Sequence, residues 1–474
     1  MSSVPQSGEY EAVIVGSGPN GLAAGITLAR EGLRVLILEA ADRLGGGTRT
    51  AELTLPGFHH DVCSAVHPMS MVSPFLRSLP LTKFGLEWVH PEILLAHPLD
   101  DGRAAAMWRD LDRTAEALPG KDGKAWKNWL APFLPQAHGL FKDLLGALPL
   151  LPRHPLLLAR FGLDAMKSGQ CLARGKFKSD EARALVAGHA GGWPVAAGGS
   201  ASITQAMARY FEALGGEIVC GAEVRDIRDL PRAKAVLFDT GPQAMGRIAA
   251  ARLPAGYRRR LEKFRYGPGI FKLDLAVSEP IPWANPLCRK AGTVHVGGTL
   301  EEVAAAERAC WTDNPGPRPF VLVAQQSICD PRRAPAGKHT VWAYSHVASR
   351  CGIDHSEAIL NSIEHYAPGF RQTILASHAM GPADVERHNA NNVGGDITGG
   401  VMDLSQMFTR PVARWNPWTT PDRGIFICSS STPPGGGVHG MCGHHAALTA
   451  LRKVFGLRPQ GFGSADPAEA GSRA

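Results

Sequence analysis

The chain has 474 residues, with 50 Lys or Arg against 43 Asp or Glu and a net charge of +7, long enough for two or three domains around a large core. The charges are scattered, and no basic run interleaved with aromatics tracks a phosphate backbone, which argues against a nucleic-acid partner. Nine cysteines, an odd number without pairing in sequence, argue against a disulfide framework, and the opening MSSVPQSGEYEAV lacks the basic and apolar regions of a signal peptide, so a cytoplasmic protein is expected.

Tyr10 to Thr50 reads as strand, turn, helix and strand. Ala12 to Val15 is a short apolar run suited to a buried parallel strand. Gly16, Gly18 and Gly21 form G-x-G-x-x-G at the following turn. That spacing permits a tight turn, close approach of backbone to a pyrophosphate, and close packing of helix on strand. The diphosphate would then sit at the positive end of the helix. A second strand, Arg34 to Leu38, ends at Glu39, whose carboxylate can accept both ribose hydroxyls of an adenosine and disfavours a 2′-phosphate. The nucleotide is therefore FAD or NAD. Arg43, Gly45, Gly46, Arg49 and Thr50 continue as R-x-G-G-x-x-R-T, which resembles the second phosphate-contacting motif of the glutathione-reductase and amine-oxidase class of flavoproteins. An NAD site needs no second cradle there, so FAD is expected.

Residues 51 to about 75 read as a loop, and 76–190, rich in Leu, Ala, Pro and basic residues, as mostly helical. Within it, 139–163 is Leu-rich but interrupted by Lys142, Asp143, Arg153, His154 and prolines, which rules out a membrane span. It suits a pair of packed core helices; a lipid-facing surface or the mouth of an apolar substrate tunnel is the alternative. Residues 191–227 return to the dinucleotide fold, with a helix from about Ile203 to Leu214 and strands at Glu217–Cys220 and Glu223–Ile227. AVLFDT, 235–240, reads as a later parallel strand of the same sheet, and 265–350 as the alternating strands and loops of a substrate-binding sheet. A strand at Ile425–Cys428, a Pro-Pro-Gly-Gly-Gly turn and a helix from about His439 to Phe455, stopped by Gly456, form a second return. Glycines ahead of a helix N-terminus offer N–H groups to an anion or polarised carbonyl, which fits the flavin end of FAD.

These segments together resemble the phytoene-dehydrogenase-related flavoproteins over almost the whole chain. The resemblance is carried by the N-terminal unit, GGSASITQAMARYFEALGGEI, FKLDLAVSEPIPW, AGTVHVGG, QQSICDPRRAPAGKHTVWAYSHV, NNVGGDITGGVMDLSQMFTRP and PPGGGVHG. It implies an FAD enzyme related to carotenoid desaturases, retinol saturase and, more distantly, amine oxidases. It also implies that the backbone at Val224 meets the adenine edge, although Val224 suits a strand core equally well. One departure is that only RDLPRAK lies between Ile227 and Ala235, where such proteins carry a β-hairpin.

The expected architecture is α/β. A Rossmann-like FAD-binding domain of the glutathione-reductase type is assembled from 1–75, 191–250 and 411–458, and an α+β substrate domain with a mixed sheet and helices from 76–190 and 251–410, with a disordered tail at 459–474. The expected cofactor contacts are Gly16, Gly18, Pro19, Asn20, Gly21, Glu39, Ala40, Arg43, Gly45, Gly46, Arg49, Thr50, Val224, Gly435, Gly436, Gly437 and Val438. No C-x-x-C or C-x-x-x-x-C redox pair occurs, and no second G-x-G-x-x-G follows a strand, so neither a disulfide reductase nor a separate NAD(P)H domain is indicated. Cys428 and Cys442 read as small buried thiols. Proton donors or acceptors are sought in His60 and Asp61, on the loop after Thr50, and in His439 of PGGGVHG; the plainer reading makes Asp61 a loop anchor and His439 a helix cap. His439, His444 and His445 do not share a helix face, so no metal is expected. The expected activity is hydride transfer between flavin N5 and a C–C bond of a small apolar substrate, with oxygen, a quinone or NAD(P) as candidate electron partner. The alternatives are a flavin amine oxidase, which needs an aromatic cage and a flavin-facing lysine, and a flavin-bearing scaffold for a protein partner.

Overall fold

The computed structural model describes residues 9–146, 154–187, 194–312 and 318–459. In chain order its strands are β1 Ala12–Val15, β2 Val35–Leu38, β3 Thr50–Ala51, β4 His60–Asp61, β5 Trp88–Val89, β6 Ile93–Pro98, β7 Ala104–Met107 and β8 Val195–Ala196. They continue as β9 Glu217–Val219, β10 Ala235–Phe238, β11 Gly269–Val277, β12 Ala291–Val296, β13 Val321–Ala324, β14 His339–Val347, β15 Ile374–Met380 and β16 Ile425–Ile427. Three helices flank the site: α1 Pro19–Ala29, α2 Ala201–Ala213 and α3 Met441–Val454.

A five-stranded parallel sheet runs in the order β16-β10-β1-β2-β9. The sequence AVIV of β1 and VLIL of β2 is buried throughout, as a sheet covered on both faces requires. On one face α1 packs with α2 and α3, and every residue of α1 from Asn20 to Ala29 is buried. Where α3 crosses α1, a Cβ at Gly443 would fall on the Asn20 carbonyl, so the helices meet backbone to backbone. Shortening Leu22 in this layer to Ala would cost about 2–5 kcal/mol in lost transfer and cavity terms. The opposite face is covered by Met245, Tyr257 and Leu261, which join Val13, Leu36 and Val236 in one core.

A seven-stranded mixed sheet runs β15-β11-β14-β13-β12-β6-β7, antiparallel except for the β6–β12 pair. One face, with Phe271, Leu273, Leu275 and Val341, packs on the helix Ser356–Tyr366. The other face carries Lys272, Asp274, Trp342 and Tyr344 and looks toward the β3–β4 ribbon.

Residues 76–190 are mostly helical, as expected, but β5, β6 and β7 also lie there; ILLAHP is buried at all six positions, and a short apolar run does not by itself distinguish strand from helix. Three expectations from the sequence are corrected. The stretch after Thr50 holds β4 and the short helices Pro68–Val72 and Pro74–Arg77 as well as loop. Glu223–Ile227 is no strand: the Asp226 carboxylate accepts from the Arg228 N–H and starts a 3₁₀ turn at Ile227–Asp229, the local side-chain bond that competes with sheet pairing. Finally, the helix Pro155–Ala165 buries none of its residues, with Leu156 87% and Leu163 72% exposed, so it is not a core helix. Residues 147–153 of that Leu-rich stretch, and the expected tail from 460 onward, lie outside the described residues. No described helix is long and apolar enough to cross a membrane.

Candidate active site

Gly16 leaves β1 with φ +107°, and a Cβ there would stand 3.0 Å from the Asp239 carbonyl oxygen. Gly18 is the N-cap of α1 and Pro19 follows in the first turn, where its missing N–H loses nothing. The Glu39 carboxylate, at the end of β2, accepts from the Ser17 N–H at 2.9 Å, the Ser17 hydroxyl at 2.7 Å and, across Ala40, the Ala41 N–H at 2.9 Å. The second glycine cluster lies directly on the first: the Gly45 N–H donates to the Ser17 carbonyl at 3.2 Å, and a Cβ on Gly46 would stand 3.1 Å from Gly18 Cα. Arg49 spans the cluster, its Nη2 donating to the Arg43 carbonyl at 2.8 Å and reaching Glu39 at 3.4 Å. Thr50 turns away and donates to Asp61 at 3.0 Å. Beside Glu39, the Ala222 N–H donates to the Glu39 carbonyl at 2.8 Å, and the Val224 side chain fills the core with Leu36 and Leu38.

The Gly435–Val438 loop closes the other end. Ser70 and Ser73 donate to the carbonyls of Val438 and His439, Gly436 lies against the Thr398 carbonyl, and a Cβ on Gly440 would stand 2.9 Å from Ala23 Cβ on α1. The two glycine clusters, Glu39 and this loop thus surround the N-terminus of α1. Asn20 Oδ1 and Arg49 Nε are buried in that space without hydrogen-bond partners among the described residues. Buried polar atoms of this kind are expected to find partners, and the donor set suits a dinucleotide: N–H groups of α1 and Arg49 for a diphosphate, Glu39 for a ribose. These residues fit FAD.

Asp239, which the motif pattern does not single out, lies in the same cradle. Its Oδ2 accepts from the Gly21 N–H at 2.8 Å and would stand 2.7 Å from a Cβ on Gly18. Burial pushes its carboxyl well above the ordinary range, with Glu39 adding to the rise.

Of the three acid–base candidates, His439 is fully buried; its Nδ1 accepts from the Met441 N–H at 3.0 Å and its Nε2 faces the Gly435 carbonyl at 3.1 Å. It caps α3 and shapes the glycine loop. Burial lowers it to about 4. Asp61 is buried against Arg333, Nη1 to Oδ2 at 2.9 Å, and its Oδ1 accepts from the Ser200 N–H at 2.7 Å. Burial pushes its carboxyl up, but the guanidinium and the N–H outweigh that and hold it below the usual range. Its charge is an anchor. His444 pairs with Thr27 Oγ1 at 2.9 Å and His445 with the Leu145 carbonyl at 2.9 Å, both joining α3 to its neighbours. Cys428 and Cys442 are buried thiols, raised by burial.

His60 alone joins a larger constellation. Lys272 and Asp274, fully buried on the ribbon-facing side of β11, form an ion pair. Asp274 Oδ1 stands 3.7 Å from His60 Nδ1, and Asp274 Oδ2 stands 3.8 Å from Nδ1 of the half-exposed His378 on β15. Burial lowers His60 to about 4, partly opposed by Asp274, so the imidazole is neutral at pH 7. On β14, opposite Asp274 and Lys272, stand Trp342 and Tyr344. Ring centroids step along that strand from Trp342 to Tyr344 at 5.0 Å and on to His346 at 5.4 Å, and the Lys272 ammonium lies 5.8 Å from the Trp342 ring. At the outer end a cavity of about 180 Å³ is lined by His346, Glu307, Trp311, Thr398, Val401 and Met402. Its wall residue Thr398 touches Gly436, so the cavity adjoins the Gly435–Val438 loop. The signal for Lys272 and Asp274 was present in FKLDLAV: two charges at i and i+2 share one face of an otherwise apolar strand. His378 and Arg333 had no comparable local signal.

A family model for an NAD(P)-binding Rossmann-like domain matches residues 14–79. The chain is 24% identical to pyridine nucleotide-disulfide oxidoreductase domain-containing protein 2 of Mus musculus, over 94% of each chain. It is 31% identical to one of the subunits of limonene dehydrogenase from Castellaniella defragrans, over 25% of this chain and 21% of that one. Among solved structures, an oxidoreductase from Methanosarcina mazei superposes with a TM-score of 0.58 at 17% identity, covering 93% of this chain and all of that one. Cyclohexylamine oxidase from Brevibacterium oxydans superposes with a TM-score of 0.55 at 15% identity, covering 94% of this chain and all of that one. The chain is therefore a distant relative of pyridine nucleotide-disulfide oxidoreductase domain-containing protein 2, with the fold of the FAD-dependent oxidoreductases.

Proposed function

We propose that this flavin-type oxidoreductase transfers hydride between FAD and a C–C bond of a lipophilic substrate, with desaturation as the forward direction. The single observation carrying this reading is the ribbon-facing side of the seven-stranded sheet. Its cavity has an apolar rim, where Trp311 is 60% and Met402 50% exposed, and ends at His346, from which ring contacts continue through Tyr344 to Trp342 beside the buried Lys272–Asp274–His60 cluster. Desaturation removes one hydrogen with its electron pair and one as a proton while the C=C bond forms. Bound FAD supplies the two-electron acceptor, and oxygen, a quinone or NAD(P) takes the electrons onward. Neutral His60 is the proton acceptor, with the Asp274 carboxylate stabilising the imidazolium that results, and His378 relays the proton to solvent. The rings exclude water and orient an apolar chain. The limonene dehydrogenase relative, similar over a quarter of this chain, carries the name of an enzyme for a hydrocarbon substrate. The exposed Leu156 and Leu163 of the helix Pro155–Ala165 support delivery of substrate from a lipid surface.

Amine oxidation is the second reading, favoured by one observation: a fully buried lysine, Lys272, lies beside Trp342 and Tyr344. Anaerobic titration of the FAD-loaded protein separates the two. Bleaching of the oxidised flavin band by apolar terpenoid or polyene donors, and not by primary amines, supports desaturation. Bleaching by amines alone overturns it.

A further inference from the structure

Asp239 sits where the chemistry of the proposed cofactor is least hospitable to a carboxylate. Its Oδ2 occupies the glycine turn, accepting from the Gly21 N–H at 2.8 Å, and the side chain is buried. Among the described residues, the charged neighbour acting on it is Glu39, another anion, and the other titratable groups facing it are the thiols of Cys428, from the end of β16, and Cys442, from α3. Arg49, the cation of this cradle, pairs with Glu39 at 3.4 Å and is not among the groups acting on Asp239. A diphosphate bound at the α1 N-terminus adds two negative charges within the same water-poor turn. An anion there gains from the helix end, but in a buried turn the repulsion between the Asp239 carboxylate and a diphosphate held at the same helix end would outweigh that field. A proton on Oδ1 removes the conflict and leaves Oδ2 free to keep the Gly21 bond.

We propose that Asp239 is a neutral carboxylic acid in the cofactor-loaded protein, so that FAD binding takes up a proton and weakens as pH rises. The inference rests on the FAD assignment. The proton comes from solvent and passes to the Asp239 carboxylate, and no electron moves. The sign follows from linkage: the diphosphate raises the carboxyl's proton affinity, so between the free and loaded pKa values each unit of pH lowers FAD affinity about tenfold.

The test is FAD binding to deflavinated protein from pH 5.5 to 9, followed by flavin fluorescence and by calorimetry in two buffers of different ionisation enthalpy. The expected result is uptake of about one proton per FAD within that range and a dissociation constant that climbs with pH. In Asp239→Asn, whose amide keeps the oxygen acceptor and cannot ionise, the dissociation constant is expected to stay flat. Should that variant fail to fold, the proton count on the wild-type protein still decides. A count of zero, or parallel pH curves for wild type and variant, overturns the proposal while leaving the FAD assignment intact. Absence of FAD binding by both proteins at every pH overturns the assignment itself and the proposal with it.

Discussion

Arg333 and Asp61 form an ion pair, Nη1 to Oδ2 at 2.9 Å, with both side chains fully buried. The pair gathers four parts of the chain. Asp61 also accepts from the Thr50 hydroxyl at 3.0 Å and from the Ser200 N–H at the start of α2 at 2.7 Å. Arg333 also donates to the Ala196 carbonyl at 3.1 Å and to Asp330 at 3.2 Å. The ribbon that follows the second glycine cluster is thereby fixed against α2 and against the turn leading into β14. Its other strand residue, His60, is held toward Asp274 by the same ribbon.

Removing one member of this pair should therefore act on stability before it acts on chemistry. Arg333→Met leaves the buried Asp61 carboxylate without its guanidinium and is expected to cost about 3–5 kcal/mol, and Asp61→Asn is expected to cost less because Arg333 keeps Asp330 at 3.2 Å. The double variant Asp61→Asn with Arg333→Met is expected to lose clearly less than the two single losses combined. Urea unfolding of the four proteins measures this. If Asp61→Asn is as stable as the wild type yet has lost turnover, Asp61 is an acid–base group after all and the anchoring account fails.

Stability should also fall in mild acid. His67, His97, His439 and His445 are buried and lowered to about 4 by that burial. Their folded pKa lies below the unfolded value near 6.5, so the stability they contribute is complete above pH 6.5 and is lost as pH falls toward 4. Each such group is worth on the order of 3 kcal/mol by the time it is fully protonated. The urea midpoint is expected to hold steady from pH 8 to about 6.5 and to drop steeply by pH 4.5, with His439→Gln reducing the slope. A midpoint unchanged down to pH 4.5 would show that these rings gain protons in the folded state without penalty.

Much of the cofactor half was legible in the sequence because its chemistry is local. Gly16, Gly18 and Gly21 must fall within one turn between β1 and α1, and Glu39 must end the next strand, so a few dozen residues carry the whole pattern. His439 was legible as a cap for the same reason. The substrate half is different in kind. Lys272, Asp274, His60 and His378 come from three strands separated by up to 318 positions in the numbering, and only register brings them together. The strands β6 and β7 were hidden because their apolar runs are too short to show a period. Asp239 was hidden by its place in an ordinary strand end, AVLFDT, where nothing local announces that its carboxyl meets the α1 N-terminus.

His60 is the residue on which the proton half of the proposed reaction turns. Its Nε2 is engaged with Thr54 Oγ1 at 2.8 Å, and its Nδ1 faces Asp274 Oδ1 at 3.7 Å without a hydrogen bond among the described residues. A buried neutral imidazole beside a carboxylate gains a proton more readily than one in apolar surroundings alone, because the imidazolium finds an opposite charge within reach. Positioned general bases contribute about 100- to 10,000-fold. His60→Gln should therefore slow anaerobic flavin reduction by roughly that factor while FAD content and the urea midpoint stay close to wild type. The residual rate should rise with pH, since hydroxide or water must then take the proton. A merely structural His60 predicts the reverse pattern: a lowered midpoint, an unchanged rate per bound flavin and no change in the pH profile.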